Sequence, residues 1–335
     1  MLSSLCKSVL HCSGVLALLR AAAARSRAVV LRYHSVSAVS DQAELYLDPG
    51  LTLSPEAFER QIRFLSQHYT LVPLEDIVDC LRRGQRLYRR AVAITFDDGY
   101  RDNYTQAFPI LRRYQVPATF YLTTGCIDNE QIFWVAHLRY LLTASRAEEL
   151  RLTRPEAFSF DLSRPGSREA TFRTLVVRMK NISTAKRHEM LAAVAEQLAV
   201  DDSPLRGIMM RWEEAREMHS QGMSFGAHTV THPNLPNTAP EEAEREIRES
   251  KEAIEGRLRT RVHAFSYPNG RGSNHLTEQV KQIVRQTGFH SAVTSLPGCI
   301  EQGNDLFALK RVGVYKKHGR LSFLSWEMES NRWKR

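Results

Sequence analysis

Two apolar patterns alternate along the sequence from Val29 onward. Short apolar runs are followed by longer segments whose apolar residues recur every three or four positions. The first pattern is typical of buried strands and the second of amphipathic helices. The predicted strands cover residues 29–33, 92–96, 118–122, 223–227 and 262–267, with two more near 291–295 and 311–315. Helices are predicted from Pro55, from Leu74 up to Gly84, and over residues 103–114, 212–221, 240–258, 275–287 and 319–330. About seven strands alternating with helices indicate a mainly parallel α/β fold, either a barrel or a doubly wound sheet.

The stretch from about residue 128 to 210 interrupts this alternation. Its pattern is mostly helical, with apolar positions such as Leu175, Met190 and Val194, and it shows no pattern typical of a catalytic site. We interpret this stretch as a helical insertion within one catalytic domain that spans residues 28–335.

Composition excludes two classes of protein. The 335 residues are 25% charged and 43% hydrophobic, which is typical of a globular protein rather than a disordered one. No uncharged apolar run of about 18 residues exists, so a polytopic membrane protein is excluded.

The net charge of 46 − 37 = +9 indicates either Arg-rich solvated helices, which we favour, or an anionic partner. No motif supports nucleic-acid binding. Five scattered cysteines predict neither a disulfide framework nor a Cys-ligated zinc site, and favour a reducing compartment.

Residues 1–27 form a separate N-terminal segment. Basic residues, among them Lys7 and Arg20, flank a broken apolar stretch. We predict a basic amphipathic helix that packs on the domain or lies peripherally on an anionic membrane surface. This prediction favours a cytoplasmic or peripheral membrane location. The alternative is a secretory signal cleaved after the run Ala21 to Ala24, which implies a secreted or periplasmic protein.

Candidate chemistry begins where the predicted strands end. Asp97 and Asp98 follow the strand at 92–96, and two adjacent carboxylates repel unless a cation or a proton separates them. One carboxylate beside a metal ion, with the other left as a base, would resolve the repulsion. The structural alternative is an ordinary Asp-Gly turn. The residues alone do not distinguish the roles of the two aspartates.

Two histidines follow the strand at 223–227. His228 and His232 are four positions apart and can face one point from either a helix or a tight loop. Neutral imidazoles are good ligands for Zn²⁺ and its neighbours. Together with one aspartate at another strand end, they predict a facial one-Asp, two-His site with positions open for water and substrate.

Two further strand ends carry polar residues. His34 follows the strand at 29–33, where the alternative to catalysis is a hydrogen-bonded core histidine. The loop Tyr267-Pro268-Asn269-Gly270 follows the strand at 262–267 and offers backbone N–H groups as oxyanion donors. The alternative for this loop is an ordinary turn.

This set of motifs resembles the polysaccharide deacetylase family, also described as the NodB-homology or carbohydrate esterase 4 family. The resemblance spans roughly residues 29–315 and is strongest to the exopolysaccharide, poly-N-acetylglucosamine branch. Its motifs are Tyr33-His34, Thr95-Phe96-Asp97-Asp98-Gly99-Tyr100, His228-Thr229-Val230-Thr231-His232-Pro233 and Phe265-Ser266-Tyr267-Pro268-Asn269-Gly270. It implies a distorted (β/α)7 barrel and a metal-dependent deacetylase of N-acetylated glycans.

The resemblance also implies roles for individual residues. Asp98, His228 and His232 would hold one divalent ion, with Zn²⁺ as the default and Co²⁺, Ni²⁺ or Fe²⁺ as alternatives. Asp97 would be the general base and, as in the exopolysaccharide branch, His34 the general acid.

Residues of the motif 265–270 and aromatic side chains at the expected cavity mouth complete the site. A backbone N–H, such as that of Asn269, would stabilise the oxyanion. Tyr100, Tyr267 and Trp134 are candidates for stacking on sugar rings, with core packing as the alternative for each.

The sequence departs from the family pattern at two places. Many members carry an arginine that braces the base, where this chain has Ser266, so the brace is absent or comes from elsewhere. No late Leu-x-His motif exists between residues 300 and 320, and His318 does not fit it. The missing brace leaves open a non-catalytic carbohydrate-binding or membrane-docked scaffold, and a hydrolase of another non-peptide C–N or ester bond is a further alternative.

Overall fold

The computed structural model describes residues 3–16, 27–38, 45–128, 132–153, 157–270 and 275–333. The described strands are β1 (Arg27–Tyr33), β2 (Ser35–Val36), β3 (Thr52–Leu53), β4 (Thr70–Leu71), β5 (Ala91–Phe96), β6 (Ala118–Leu122), β7 (Glu149–Leu152), β8 (Phe158–Asp161), β9 (Ser224–Ala227), β10 (Ala264–Ser266), β11 (Ser291–Val293), β12 (Ile300–Glu301) and β13 (Val312–Gly313). The described α-helices are α1 (Ser4–Cys12), α2 (Pro55–His68), α3 (Leu74–Arg82), α4 (Phe108–Arg113), α5 (Trp134–Ala144), α6 (Ser167–Lys180), α7 (Thr184–Leu198), α8 (Trp212–Ser220), α9 (Pro240–Leu258), α10 (Glu278–Gln286) and α11 (Leu321–Trp333).

The main sheet is curled and mostly parallel. Its neighbours run in the order β13, β1, β5, β6, β9, β10, β11, all parallel, while the short β12 lies antiparallel to β1. After β11 the chain forms a parallel bridge between Leu309 and Val293 and then pairs with β1 at Val312. This last segment therefore joins the two ends of the curl. The α/β prediction is confirmed, and the curl corresponds to the distorted barrel rather than to an open doubly wound sheet.

Local sequence explains most of these elements. All six residues of β5 are buried, as expected for a parallel strand covered on both faces. Helix α2 begins where the Ser54 hydroxyl accepts a hydrogen bond of 3.2 Å from the Ala57 N–H. The predicted helix at 103–114 differs in its first half. Residues 103–107 form a wide π turn, and α4 begins only at Phe108. Pro109 explains this change because it has no N–H to donate to the preceding turn.

The insertion forms a lobe with its own apolar core. We call residues 132–153 and 157–210 the inserted lobe; it contains α5, α6 and α7, whose buried side chains include Leu138, Leu175 and Met190. The helical prediction missed one feature, the antiparallel hairpin of β7 and β8. In β7 exposed and buried residues alternate, so one face covers the helices and the other meets solvent.

The N-terminal segment contains a helix that packs on the domain. Helix α1 contacts α11, and the Lys7 ammonium lies 4.4 Å from the centre of the Phe323 ring. Arg20 and the run Ala21 to Ala24 lie outside the described residues. Within the described part of the chain, no helix is both long enough and apolar enough to cross a membrane. Membrane contact and cellular location stay predictions.

A candidate metal centre at the carboxyl ends of the strands

The predicted site residues meet at one end of the curled sheet. Asp97 and Asp98 directly follow β5, His228 directly follows β9, and His34 directly follows β1. Parallel strands place their carboxyl ends at the same edge of a barrel, so residues distant in sequence converge there. These four residues and His232 line one cavity of about 300 Å³.

Asp98, His228 and His232 form a buried cluster of three ligand atoms. The Nε2 atoms of His228 and His232 lie 3.5 and 3.7 Å from Asp98 Oδ1, and the ligand atoms all lie within 4.8 Å of one another. Three ligands bound at about 2.1 Å around a tetrahedral Zn²⁺ lie about 3.4 Å apart. His228 Nδ1 lies 2.7 Å from the Ser266 carbonyl oxygen, to which it would donate, leaving Nε2 free to bind a cation. The cluster therefore fits one divalent ion.

Electrostatics support this fit. Burial raises the pKa of the Asp98 carboxyl. The hydrogen bond with His228 and the charges of the neighbouring histidines lower it by more, so the pKa lies below its ordinary value. Burial and the nearby His228 lower the pKa of His232 to about 3. Near neutral pH the aspartate is therefore charged and His232 is neutral, which are the protonation states that bind cations.

A tight loop, not a helix, turns both histidines toward Asp98. The backbone N–H groups of Val230 and Thr231 each donate to the Glu246 carboxylate of α9 at 2.8 Å. His232 has a φ of +57° and Asp98 a φ of +80°, a left-handed conformation uncommon for residues other than glycine. Such backbone strain persists where surrounding contacts hold it, often at functional sites.

The candidate base, Asp97, is held by an arginine that the sequence analysis did not identify. Arg311 donates to both carboxylate oxygens of Asp97 at 2.7 Å and to the Ser266 hydroxyl at 3.0 Å. Its Nε donates to the Thr294 carbonyl at 2.8 Å, and its side chain is fully buried. Burial raises the pKa of Asp97, but the guanidinium and nearby histidines more than offset this, so the pKa lies well below its ordinary value. The brace missing at Ser266 is supplied from the segment that closes the barrel.

One signal in the sequence points to Arg311. It immediately precedes Val312-Gly313-Val314 in a predicted strand, where a charged residue facing inward needs a partner. The late histidine of the family motif is not found in this stretch. His318 is buried, its Nδ1 lies 2.8 Å from the Tyr315 N–H, and it is not among the residues lining the cavity.

The candidate acid, His34, is also positioned at the cavity. The Asn103 side chain donates to the His34 carbonyl at 2.7 Å, which ties this strand end to the turn after β5. Among the described residues, no group forms a hydrogen bond with His34 Nδ1. Burial lowers the pKa of His34 to about 4, although the Asp98 carboxylate opposes this effect.

The remaining predicted residues divide into two groups. Asn269 and Tyr100 line the cavity, and the buried Asn269 Nδ2 has no hydrogen-bond partner among the described residues. Tyr267 also lines the cavity, but it is 1% exposed and its hydroxyl donates to the Phe307 carbonyl at 3.0 Å. Trp134 is not among the lining residues. Its Nε1 donates to the His232 carbonyl at 2.9 Å, so its role here is packing and support of the loop.

The fold and the site define a class. They describe a curled parallel α/β sheet with a candidate site for a single divalent metal ion at the carboxyl ends of its strands. A model of the polysaccharide deacetylase family matches residues 84–292, more than half of the chain. The chain belongs to the polysaccharide deacetylase family.

Individual relatives agree with this assignment. YxkH of Bacillus subtilis (strain 168), whose name refers to polysaccharide deacetylases, is 22% identical over 287 residues, which are 85% of this chain and 70% of that protein. The poly-beta-1,6-N-acetyl-D-glucosamine N-deacetylase of Escherichia coli (strain K12) is 37% identical over 80 residues, but these are only 24% of this chain and 12% of that protein.

Solved structures show a similar fold. The Streptococcus pyogenes deacetylase PplD in complex with acetate gives a TM-score of 0.60 at 19% identity, covering 89% of this chain and 96% of that one. IcaB from Ammonifex degensii gives a TM-score of 0.58 at 18% identity, covering 90% of this chain and 97% of that one. At these identities the two structures are evidence for the fold alone.

Proposed function

We propose that this chain hydrolyses the acetamide of N-acetylated sugars in a polysaccharide or oligosaccharide, releasing acetate and a free amine. The observation that carries the proposal is the placement of the Asp98, His228 and His232 cluster beside the arginine-braced Asp97 in one cavity. A divalent ion held by the three ligands would supply Lewis acidity toward the hydrolytic water and the acetamide carbonyl. Zn²⁺ is the ion we expect, and Co²⁺, Ni²⁺ and Fe²⁺ suit the same ligands.

Asp97 acts as the base in this proposal. Both of its oxygens accept hydrogen bonds from Arg311, so the carboxylate is fixed in orientation and stays ionised near neutral pH. It removes a proton from the water that attacks the acetamide carbon. A strongly braced carboxylate is a weak base, so it gives this proton up readily to a neighbouring group.

His34 acts as the acid that protonates the departing amine. Its ring is neutral near pH 7 because burial lowers its pKa to about 4. It therefore has to take up the proton released through Asp97 before passing it to the amine nitrogen. Both residues line the same cavity, within which the proton would pass from one to the other. Without this proton the nitrogen would leave as an anion, and such acid catalysis is typically worth 10²–10⁴-fold in rate.

Substrate and oxyanion contacts come from the motif that spans residues 265–270 and from Tyr100. The Asn269 Nδ2, which has no hydrogen-bond partner among the described residues, and the Asn269 backbone N–H are the donors that we assign to the developing oxyanion or to sugar hydroxyls. Tyr100 is the lining aromatic residue that we assign to a sugar ring.

The reason for considering a non-catalytic scaffold no longer applies. It depended on the absent brace, and Arg311 fills that role. A hydrolase of another C–N or ester bond shares the same site residues and is separated from the proposal by substrate.

The decisive experiment measures acetate release from chitooligosaccharides by the metal-loaded protein, before and after EDTA. We expect release that EDTA abolishes and that added Zn²⁺ restores. His228→Ala should lose bound metal and activity together, whereas Asp97→Asn should keep the metal and lose turnover. A metal-loaded protein that binds these sugars but never releases acetate would overturn the proposal in favour of the scaffold.

A further inference from the structure

Part of the cavity wall belongs to the inserted lobe. Seven residues of this lobe line the cavity together with the candidate metal ligands. They are Phe133, Val135, Ala136, Arg139, Phe172, Val176 and Lys180. The wall is therefore apolar apart from two cations, although the sequence of this lobe showed no pattern typical of a catalytic site.

Lys180 is held in place at this wall by its backbone. It is the last residue of α6, and its carbonyl accepts hydrogen bonds from the side chains of Asn234 and Asn237 at 2.8 and 2.7 Å. These asparagines follow His232 in the chain, so the lobe and the metal-site loop are joined at Lys180. The position of this lysine relative to the candidate metal centre is thus defined by the fold.

The two cations of the wall differ in their partners. Arg139 pairs with Glu169 at 3.1 Å and stacks over the Phe172 ring at 4.5 Å. For Lys180, by contrast, no carboxylate lies within ion-pair distance among the described residues. Burial lowers the pKa of Lys180, and the carboxylate that opposes this effect is that of Asp98.

Asp98 cannot serve as the lasting partner of Lys180. In the proposed function its charge is used to hold a divalent cation, whose positive charge would then repel the ammonium. A half-buried ammonium without a counter-charge is costly, because it has lost water and gained no partner. A bound anion would remove this cost, and lysine is a common ligand for phosphate as a point charge.

We propose that Lys180 binds an anionic group, a phosphate or a carboxylate, carried by the glycan close to the N-acetylated sugar. The inference rests on the proposed function, since it names the class of substrate that the same site accepts. Phe172 and Val176 provide an apolar surface beside this anion subsite. A neutral glycan whose hydroxyls contact Lys180 is the competing outcome.

The test compares three tetrasaccharide substrates of the metal-loaded protein. One is neutral (N-acetylglucosamine only), one alternates N-acetylglucosamine with glucuronate, and one carries a phosphodiester beside an N-acetylglucosamine. We expect kcat/KM to be at least tenfold higher for one anionic substrate than for the neutral one, and the preference to shrink as NaCl is raised. The substrate that gains identifies the carboxylate or the phosphate.

Variants of the lobe make the assignment specific. Lys180→Gln should remove the preference, mainly through KM, while Lys180→Arg should retain most of it. Lys186→Gln, an exposed lysine of α7 in the same lobe, is the matched control and should change nothing. No preference in the unmodified protein, or an equal loss on all three substrates in Lys180→Gln, would overturn the inference.

Binding measurements separate this inference from the proposed function. Calorimetry on the metal-loaded Asp97→Asn variant, with and without Lys180→Gln, reports anion recognition without turnover. Lys180-dependent binding of an anionic tetrasaccharide with no acetate released from any substrate would refute the deacetylase proposal and leave the anion subsite standing. Acetate release with equal binding of all three would refute the subsite alone.

Discussion

Removing the guanidinium of Arg311 is the sharpest perturbation that the structure offers. Arg311→Ala leaves Asp97 buried, with the Ser266 hydroxyl at 3.3 Å as a remaining side-chain contact. The variant should lose activity and stability together, because the same two hydrogen bonds orient the base and neutralise a buried charge.

The magnitudes follow from burial and distance. The side chains of Arg311 and Asp97 are 0% and 3% exposed, and both hydrogen bonds measure 2.7 Å. Breaking such a buried pair by deleting one partner typically costs about 3–5 kcal/mol. At roughly 2–4 °C per kcal/mol, the melting temperature should fall by roughly 10 °C. Without the guanidinium, burial is opposed mainly by the weaker field of the histidines, so the pKa of Asp97 rises.

The sign of the pH dependence follows from the folded-state pKa. Since the pKa of Asp97 is below its ordinary value in the folded protein, the pair stabilises the fold above about pH 4, the ordinary carboxyl value. This stability is lost as the pH falls below that value. In Arg311→Ala the stability at neutral pH should drop, and the loss between pH 5 and pH 2 should become shallower.

The assay is the pH profile of kcat/KM for acetate release, measured beside thermal unfolding. The acidic limb should move to higher pH in Arg311→Ala and less so in Arg311→Lys, which keeps the charge but not the two parallel hydrogen bonds. Arg285→Ala is the control: this arginine is 41% exposed and pairs with Asp305 at 3.2 Å, so its loss should cost less than about 1 kcal/mol. If Arg311→Ala changes neither the acidic limb of the pH profile nor the melting temperature, the ion pair between Arg311 and Asp97 does not control the ionisation of the base.

Three further predictions concern the rest of the site. His34→Ala should slow acetate release from an N-acetylated sugar by about 10²–10⁴-fold without emptying the metal site. It should slow hydrolysis of an aryl acetate far less, because a phenolate leaves without a proton. Equal slowing of both substrates would contradict the role of His34 as acid. Glu246→Gln should weaken Zn²⁺ binding by about 10–100-fold in competition with a chelator, because it loosens the loop that carries His232, whereas the exposed Glu249→Gln should not. Ser266→Arg should recover part of the activity of Arg311→Ala by bracing the base from the position that the family uses; no recovery would show that the two positions are not equivalent.

Sequence reasoning worked where the determinants are local. Buried strands read as apolar runs, so β5 and β6 were predicted to within one residue. Polar residues at the strand ends then identified the candidate ligands, since parallel strands bring their carboxyl ends together. Residue types alone could not separate the roles of Asp97 and Asp98, and the family resemblance supplied that distinction. In the structure Asp97 contacts Arg311, whereas Asp98 lies beside the histidines.

Only the tertiary structure decided what supports and surrounds the site. Arg311 and Asp97 are 214 positions apart, and they meet because the last strand segment closes the curl of the sheet, which no local pattern encodes. The loop geometry of His228 and His232 depends on Glu246 from another helix, and the cation Lys180 reaches the cavity because an entire lobe folds over it. The sequence by itself determined the strands and the chemical types at their ends. The partners of those groups were decided by packing between distant segments, because the free energy of a buried charge depends on what lies beside it in space.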